Sequence, residues 1–551
     1  MGLSPFKRTN NNNNNPASDI HTPSSDSVKI PAYAWKTLAI LSCIATMVMY
    51  AETMLIPAIP DLIKDFHVSY SMSSWILTAY LVAGAVMTPI AGKLSDIYGR
   101  KKILLIIMAV YAVGVSLSGF AANVYFLLIA RAIQGIGMSM FAIAFSIVRD
   151  QFPREKISIG QGVITSMFAS GAVIGLAVGG IIVQNYGWHT TFFTIIPIAI
   201  ALLIIIRRYI NVNQGKQEHQ QQEQQEEQIQ SQIVRNNNTS KIKENNSRKK
   251  SANQIDIKGA IALAVTVTSF LLVLTFVETS GRIVDSTYVN SSYGNSNSSS
   301  SSSSQILLPF LIIGIVSFML FVVIERRAKY PLVDFRLMLN KSILPANLII
   351  MLVGMSMFMV FQTVPILVRN PQPIGFGEDA ISTGKVQLPF AIILLIFGPT
   401  SGFIVSRLGS LKPIIFGAFI TSAGFIGLLM LHSTELLVST NLAILSTGLS
   451  LTSVGAMNVI ILATPRQFTG ISLGMSSLMR IIGAAIGPAL AGMYMQTHQL
   501  LLNLHGITEY FPSSVSFNLI FLTAVAISIV SIGLGIILRQ KVIKMAIPNL
   551  S

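Results

Sequence analysis

Of 551 residues, 52% are hydrophobic and only 11% charged, and the mean hydropathy is +0.64. About 25% charged residues is usual for a soluble chain, so a soluble enzyme or scaffold of this size is excluded. A formal charge of +16 would suit a nucleic-acid binder, but the basic residues are scattered between apolar runs, so nucleic acid is not an expected partner. The one cysteine, Cys43, rules out a disulfide within the chain and leaves the redox compartment open.

Residues 1–33 are polar, with an Asn run at 10–15, and read as a disordered tail with no cleavable leader. Apolar runs, each long enough to cross a bilayer as a helix, follow at 35–57, 72–91, 103–122, 124–148, 161–183 and 190–206. They define an expected N-terminal six-helix bundle at 34–208. Residues 209–340 form a linker region with two further spans, 257–278 and 305–325. Its stretches 211–256, rich in Gln, Glu, Asn and Lys, and 290–304, nearly all Ser and Asn, are too polar to offset chain entropy by burial. Asn290 and Asn297 begin N-S-S triplets, acceptors for glycosylation if that loop is external. Spans at 345–367, 385–405, 412–431, 437–463, 471–495 and 516–538 make a C-terminal bundle at 341–540, followed by a tail at 541–551. The expected fold is an all-α polytopic membrane protein: fourteen transmembrane helices in two six-helix pseudo-repeat bundles, with two extra spans between them.

Orientation follows from Lys and Arg. With both termini cytoplasmic, 32 of the 38 basic residues face the cytoplasm, four face outward (Lys64, Arg282, Arg369 and Lys385), and Arg131 and Arg480 lie within spans. The positive-inside rule favours this arrangement even after the long 207–258 segment is discounted. The expected location is the plasma membrane, multi-pass.

The two bundles also resemble each other. "GKLSDIYG" (92–99) aligns with "GFIVSRLG" (402–409), and Glu52-Thr53 with Gln362-Thr363, at an offset of 310. "GAVIGLAVGG" (171–180) aligns with "GAAIGPALAG" (483–492) at 312. Facing helical repeats are a transporter architecture, with the substrate site near the midplane between them. The expected partners are the lipid bilayer, a small-molecule substrate and protons. A monomer suffices.

"GKLSDIYGRKKI" (92–103) carries the most specific spacing. Gly92 would let a span end pack closely on a neighbour. Asp96 stands just before the third span, where a carboxylate interacts favourably with helix amides. A plain positive loop explains the basic residues but not the Gly–Asp–Gly–Arg spacing. The stretch resembles the signature loop of the major facilitator superfamily, G-x-L-a-D-r-x-G-r-k. Gly92, Leu94, Asp96, Gly99, Arg100 and Lys101 match, and Ile97 departs from it. The resemblance implies the major facilitator fold, and a loop that latches the cytoplasmic side in the outward-open state. "RAIQGIG" (131–137) resembles the fourth-span motif with its membrane-embedded arginine; the alternative is that Arg131 snorkels to the near interface. "GAVIGLAVGG" resembles the antiporter motif, with Gly171, Gly175 and Gly179 on one face and Gly180 completing the pair. Leu176 replaces the usual proline, and small-residue packing alone also accounts for the pattern. "WHTTFFTIIPI" (188–198) resembles the sixth-span pattern; "ERRAKYPLVDFRL" (325–337) and "GMSSLMRIIGAAIG" (474–487) are similar to the fourteen-span drug:proton antiporter branch.

Glu52 is the one carboxylate well inside an expected span. It lies one position after Ala51, where the branch pattern has Asp; Thr53, Ala58 and Pro60 hold register. A one-residue shift turns the side chain by about 100° around the helix. Burial in low dielectric favours a neutral carboxyl, the condition for proton coupling near physiological pH. The alternative is a structural ion pair or an interfacial carboxylate. Glu52 and Arg131 are the candidate proton-coupling residues, and Gln134, Gln362 and Arg480 the candidate substrate-cavity residues. Methionines cluster in the first and ninth spans; they suit varied apolar ligands but are more often filler. The expected function is proton-coupled export, by alternating access, of lipophilic and cationic drugs or toxic compounds. No cofactor is expected, the proton gradient being the energy source. An exporter of an endogenous metabolite or peptide is the alternative, and a non-transporting receptor a further one. No metalloprotease, P-loop or nucleophile-elbow motif suggests an enzyme.

Overall fold

A computed structural model of the chain describes residues 30–153, 157–210, 257–277, 300–327, 335–464, 469–504 and 507–546. The two low-complexity stretches up to residue 299, Arg282, Asn290, Asn297 and residues 328–334 of the basic loop lie outside the described residues.

The elements run in chain order as α1 (Ala32–Thr53), α2 (Ile59–Phe66), α3 (Tyr70–Tyr98), α4 (Arg100–Gly119), α5 (Val124–Gly135), α6 (Met140–Gln151), α7 (Ile157–Tyr186), α8 (Trp188–Tyr209), α9 (Ile257–Val277) and α10 (Ser300–Arg327). The C-terminal part continues with α11 (Phe335–Met338), α12 (Ile343–Arg369), α13 (Ala380–Leu408), α14 (Leu411–Met430), α15 (Glu435–Ala463), α16 (Thr469–Thr497), strands β1 (Gln499–Leu504) and β2 (Ile507–Pro512), and α17 (Ser514–Ala546). Among the described residues, thirteen helices are long and apolar enough to cross a membrane, α1–α2 and α5–α6 each counting as one. In α9 the apolar stretch is shorter, Ile261–Phe270.

Local chemistry sets the breaks. Pro57 has no N–H to give the carbonyl of Thr53, so α1 ends there and a 3-10 turn over Ile56–Ala58 leads into α2. Gly99 joins α3 to α4 at φ 95°, and Gly409 joins α13 to α14 at φ 76°, a left-handed backbone that disfavours side chains. These are the paired glycines of the 310-residue offset. Ser69, Asn123, Asp379 and Thr434 cap α3, α5, α13 and α15, each side chain accepting from the backbone N–H three residues on.

The helices of the N-terminal part share a core around Leu38, Leu41, Tyr111 and Phe192. A second core runs through α12–α17 and takes in faces of α3 and α7. The two parts meet where α3 packs on α16 and α7 on α13. Large apolar side chains such as Phe120, Tyr125, Phe416 and Leu462 stand exposed around the rim, as lipid-facing positions do.

The all-helical architecture carries one addition and two corrections. The addition is a short antiparallel hairpin of β1 and β2 between α16 and α17, Gln499 opposite Pro512 and Leu504 opposite Ile507. The leucine-rich run "QLLLNL" has no clean alternation to mark it as a strand. The backbone of Asp96 sits in the last turns of α3, which runs on to Tyr98, rather than in a loop ahead of α4. And among the described residues no atom lies within 4 Å of where a Cβ on Gly92 would stand, so the close packing expected at that glycine is absent from this conformation.

Candidate functional site

Three side chains hold one face of α1 to α7 and α8. Thr46 Oγ1 donates to the Met167 carbonyl at 3.1 Å, and Tyr50 Oη lies 2.9 Å from Thr194 Oγ1 of α8. Thr53 Oγ1 donates to Met49 O at 2.9 Å and approaches Ala172 O at 3.4 Å. The antiporter-motif glycines make this seating possible. A Cβ on Gly171 would overlap the Thr46 carbonyl, one on Gly175 would overlap Thr53 Oγ1, and one on Gly179 would overlap the Met54 backbone. Gly180 turns the other way, toward the Ala380 carbonyl at the start of α13. Thr46, Tyr50 and Thr53, spaced for one helix face, are therefore committed to α7 and α8. Met49, at the border of that face and beside Gly171, and Glu52, three residues on, line a cavity.

That cavity lies between the two parts of the molecule and is small in this conformation. Glu52 reaches it from α1 and Arg480 from α16; Met49, Met138 and Met357 and the rings of Phe168 and Phe358 supply apolar walls. Glu52 is 1% exposed, and neither of its carboxylate oxygens has a hydrogen-bond partner. It forms no ion pair with Arg131 or Arg480 among the described residues, yet it interacts electrostatically with both. Arg480 has no hydrogen-bond acceptor among the described residues; its guanidinium lies 5.8 Å from the centroid of the Phe168 ring.

Arg131 is spoken for. It is fully buried, which removes the snorkelling alternative. Its Nε donates to Ile76 O at 3.1 Å and its Nη1 to Gln134 Oε1 at 3.0 Å, and the guanidinium lies 4.6 Å from the centroid of the Tyr80 ring. Glycines again allow the approach: Gly135 presses on the Tyr80 carbonyl, Gly137 on the Tyr111 ring, and Gly114 on the Gln134 backbone. The helix breaks at this point into a 3-10 turn, Ile136–Ser139, between α5 and α6. The Tyr80 and Tyr111 hydroxyls, Arg131 Nη2 and Gln134 Nε2 are buried without hydrogen-bond partners, so the cluster retains polar capacity that the fold leaves unused.

Glu52, Arg131, Gln134 and Arg480 thus converge. Gln362 is at the junction of the two parts, where its Nε2 donates to Ser73 Oγ at 3.0 Å and its Oε1 has no partner. The remaining sequence candidates lie apart, around the α3–α4 turn. There Arg100 is buried and pairs with Asp150 and the Ser146 carbonyl at the end of α6. Lys101 is half-buried, and the Asp96 side chain lies outside the described residues. Sequence reasoning missed Tyr80, Tyr111 and Gln387, whose amide atoms are both buried and unpartnered. Uncharged tyrosine and glutamine in apolar runs carry too little signal to be singled out.

The face where α1 ends is closed. Asp61 of α2 receives both guanidinium arms of Arg369 at the end of α12. Tyr70 N–H donates to Gln496 Oε1 at 3.1 Å and Ala380 N–H to Gln184 Oε1 at 3.2 Å. Gly384 abuts the Leu176 carbonyl, and Gly492 abuts Tyr70 and Ser71.

The sequence profile of the Major Facilitator Superfamily matches residues 41–488. The chain belongs to this superfamily. Among its relatives, the multidrug transporter protein MdtP of Bacillus subtilis is 28% identical over 471 residues, 84% of this chain and 75% of the relative. The tetracenomycin C resistance and export protein of Streptomyces glaucescens is 24% identical over 483 residues, 87% of this chain and 79% of the relative. The crystal structure of a bacterial homologue of the human lysosomal transporter Spinster, inward-facing and occupied, superposes with a TM-score of 0.56 at 12% identity, covering 93% of this chain and 97% of that one. As a superfamily member, the protein crosses the membrane many times, and its helices pack in two groups that meet along α3–α16 and α7–α13.

Proposed function

We propose that this protein is a proton-driven exporter of lipophilic compounds, with a cationic group on the substrate received by Glu52. The observation that carries the proposal is Glu52 itself: a carboxylate in a cavity between two helical groups, with both oxygens unpartnered. Such a group takes or releases a proton, or exchanges it for a donor on a substrate, without breaking any bond that holds the fold. A carboxylate kept for structure would be paired. The names of the multidrug and export relatives agree with this reading.

Fourteen spans in two pseudo-repeat bundles, 34–208 and 341–540, support alternating access. The closed face carries Asp61, Arg369 and the β-hairpin, and we assign it to the outside. The opposite face, with Arg100, Lys101, Lys102 and both tails, is the cytoplasmic one by the basic-residue bias. The conformation is then inward-facing, and the Gly92–Lys101 turn is at rest; in the outward-facing state α3 would close on its partner there, with Gly92 at the contact. A monomer in the plasma membrane, drawing on the proton gradient and on no bound cofactor, suffices for this cycle. The second reading, export of a metabolite or peptide, is favoured by Arg480, which offers a cation to an acidic group.

The test is dye and drug efflux from vesicles under an imposed pH gradient. Wild type should move substrate uphill and Glu52→Gln should not, while downhill exchange survives. Full uphill export by Glu52→Gln would sink proton coupling through this residue.

A further inference from the structure

The cavity holds two opposite charges that do not touch. On one wall is Glu52, nearly inaccessible and with neither oxygen partnered. On the other is Arg480, whose neighbour is an aromatic ring rather than a carboxylate. They belong to different helical groups, α1 and α16, and the thioethers and rings of Met49, Met138, Met357, Phe168 and Phe358 lie around them. Buried charges are ordinarily paired, because each alone costs far more than the pair. Arg131 serves Glu52 only at a distance: the two interact electrostatically but form no ion pair among the described residues, and Arg131 Nε and Nη1 are bonded to Ile76 and Gln134 with the guanidinium over Tyr80.

Charge counting narrows what fits. With Glu52 ionised, the three groups Glu52, Arg131 and Arg480 sum to one positive charge, and with Glu52 protonated to two. A lipophilic monocation would gain Glu52 and be repelled by two guanidiniums. A monoanion would gain Arg480, but protonating Glu52 would tighten its binding, the wrong sign for an exchange in which an incoming proton must displace the substrate. A compound with both charges satisfies both walls, and protonating Glu52 removes one of its two anchors. We propose, building on the exporter reading above, that the substrate is an amphipathic zwitterion, its cationic group on Glu52, its anionic group on Arg480 and its apolar body among the methionine and phenylalanine side chains.

Three probes on one aromatic body test this: naphthylalanine, a zwitterion; naphthylethylamine, which lacks the carboxylate and is a cation; and N-acetylnaphthylalanine, an anion. Binding to the purified full-length protein is measured by calorimetry just above neutral pH, with no gradient present. The zwitterion should bind at least tenfold more tightly than either of the others. Arg480→Gln should erase its advantage over the amine, Arg480→Lys should keep most of it, and Glu52→Gln should erase its advantage over the N-acetyl compound. Absence of zwitterion binding, an amine that binds as well as the zwitterion to wild type, or an Arg480→Gln variant with unchanged preference would overturn the proposal. The exporter reading fails separately. Vesicles that bind the zwitterion with the expected preference, yet move none of the three compounds under a pH gradient, would discard export and keep the bipolar site.

Discussion

Asp61 and Arg369 join the two helical groups through a two-armed ion pair at the face where α1 ends. Asp61 sits in the first turn of α2 and Arg369 in the last turn of α12, so each charge also complements its own helix dipole. Both are partly exposed, and the pair is accordingly worth no more than about 1 kcal/mol. That is still enough to shift a balanced two-state equilibrium several-fold. Asp61→Asn or Arg369→Gln should raise the alkylation rate of a cysteine placed at Ser73 in a Cys43→Ser background. The charge-swapped double variant should restore the slow rate. Equal rates in all four proteins would remove the pair from the gate.

The seating of α1 depends on Gly175, where a Cβ would overlap Thr53 Oγ1 and the Tyr50 carbonyl. Overpacking of this kind costs about 1–3 kcal/mol. Gly175→Ala should therefore lower the melting temperature of the purified protein and reduce export. Gly474→Ala, with no atom within 4 Å of its Cβ position, should leave the melting temperature unchanged. Equal destabilisation by the two changes would show that the glycine face of α7 is not a packing device.

Charge movement distinguishes the substrate classes. If Glu52 carries the one coupled proton, exchange for a monovalent cation moves no net charge. Exchange for a zwitterion moves one charge inward, worth roughly 2.3 kcal/mol per 100 mV. Export of a zwitterion should then respond to both voltage and pH gradient, in vesicles clamped with potassium and valinomycin while pH is stepped. Voltage-insensitive export of a zwitterion would require a second coupling ion.

Acid should loosen the closed face through Asp379, the cap of α13. The Ser382 backbone N–H, 2.7 Å from its Oδ1, holds Asp379 below the usual carboxylate range. A depressed value means that the capping contribution is complete above the ordinary Asp value of about 3.9 and is lost as pH falls through the lower folded one. Asp379→Ala should cost about 0.5–2 kcal/mol at neutral pH and Asp379→Asn much less. Thermal melts should show the wild-type and alanine proteins converging in acid, as pH falls below the ordinary Asp value. A constant gap down to strong acid would exclude the cap as its source.

Much of the fold was legible because a membrane helix satisfies its own backbone hydrogen bonds. Length and apolarity are then local quantities, and they placed helices such as α12 and α15 within a few residues of their ends. The same locality made Glu52 conspicuous, since a charge in an apolar run needs no structure to be noticed. The rotation of each helix about its axis is not local. It is decided by which small residues allow close approach, here Gly171 and Gly175 for α1 and Gly135 and Gly137 for the break between α5 and α6. That rotation buried Arg131 against Tyr80 instead of letting it reach the interface. It also brought Arg480, on a helix distant in sequence, to the cavity that Glu52 lines. The Asp61–Arg369 pair likewise arose from packing between segments far apart in the chain, where neither partner carries a mark of the other. Transmembrane character and the one anomalous carboxylate are properties of short stretches of residues; the partners of that carboxylate are a property of how the helices pack.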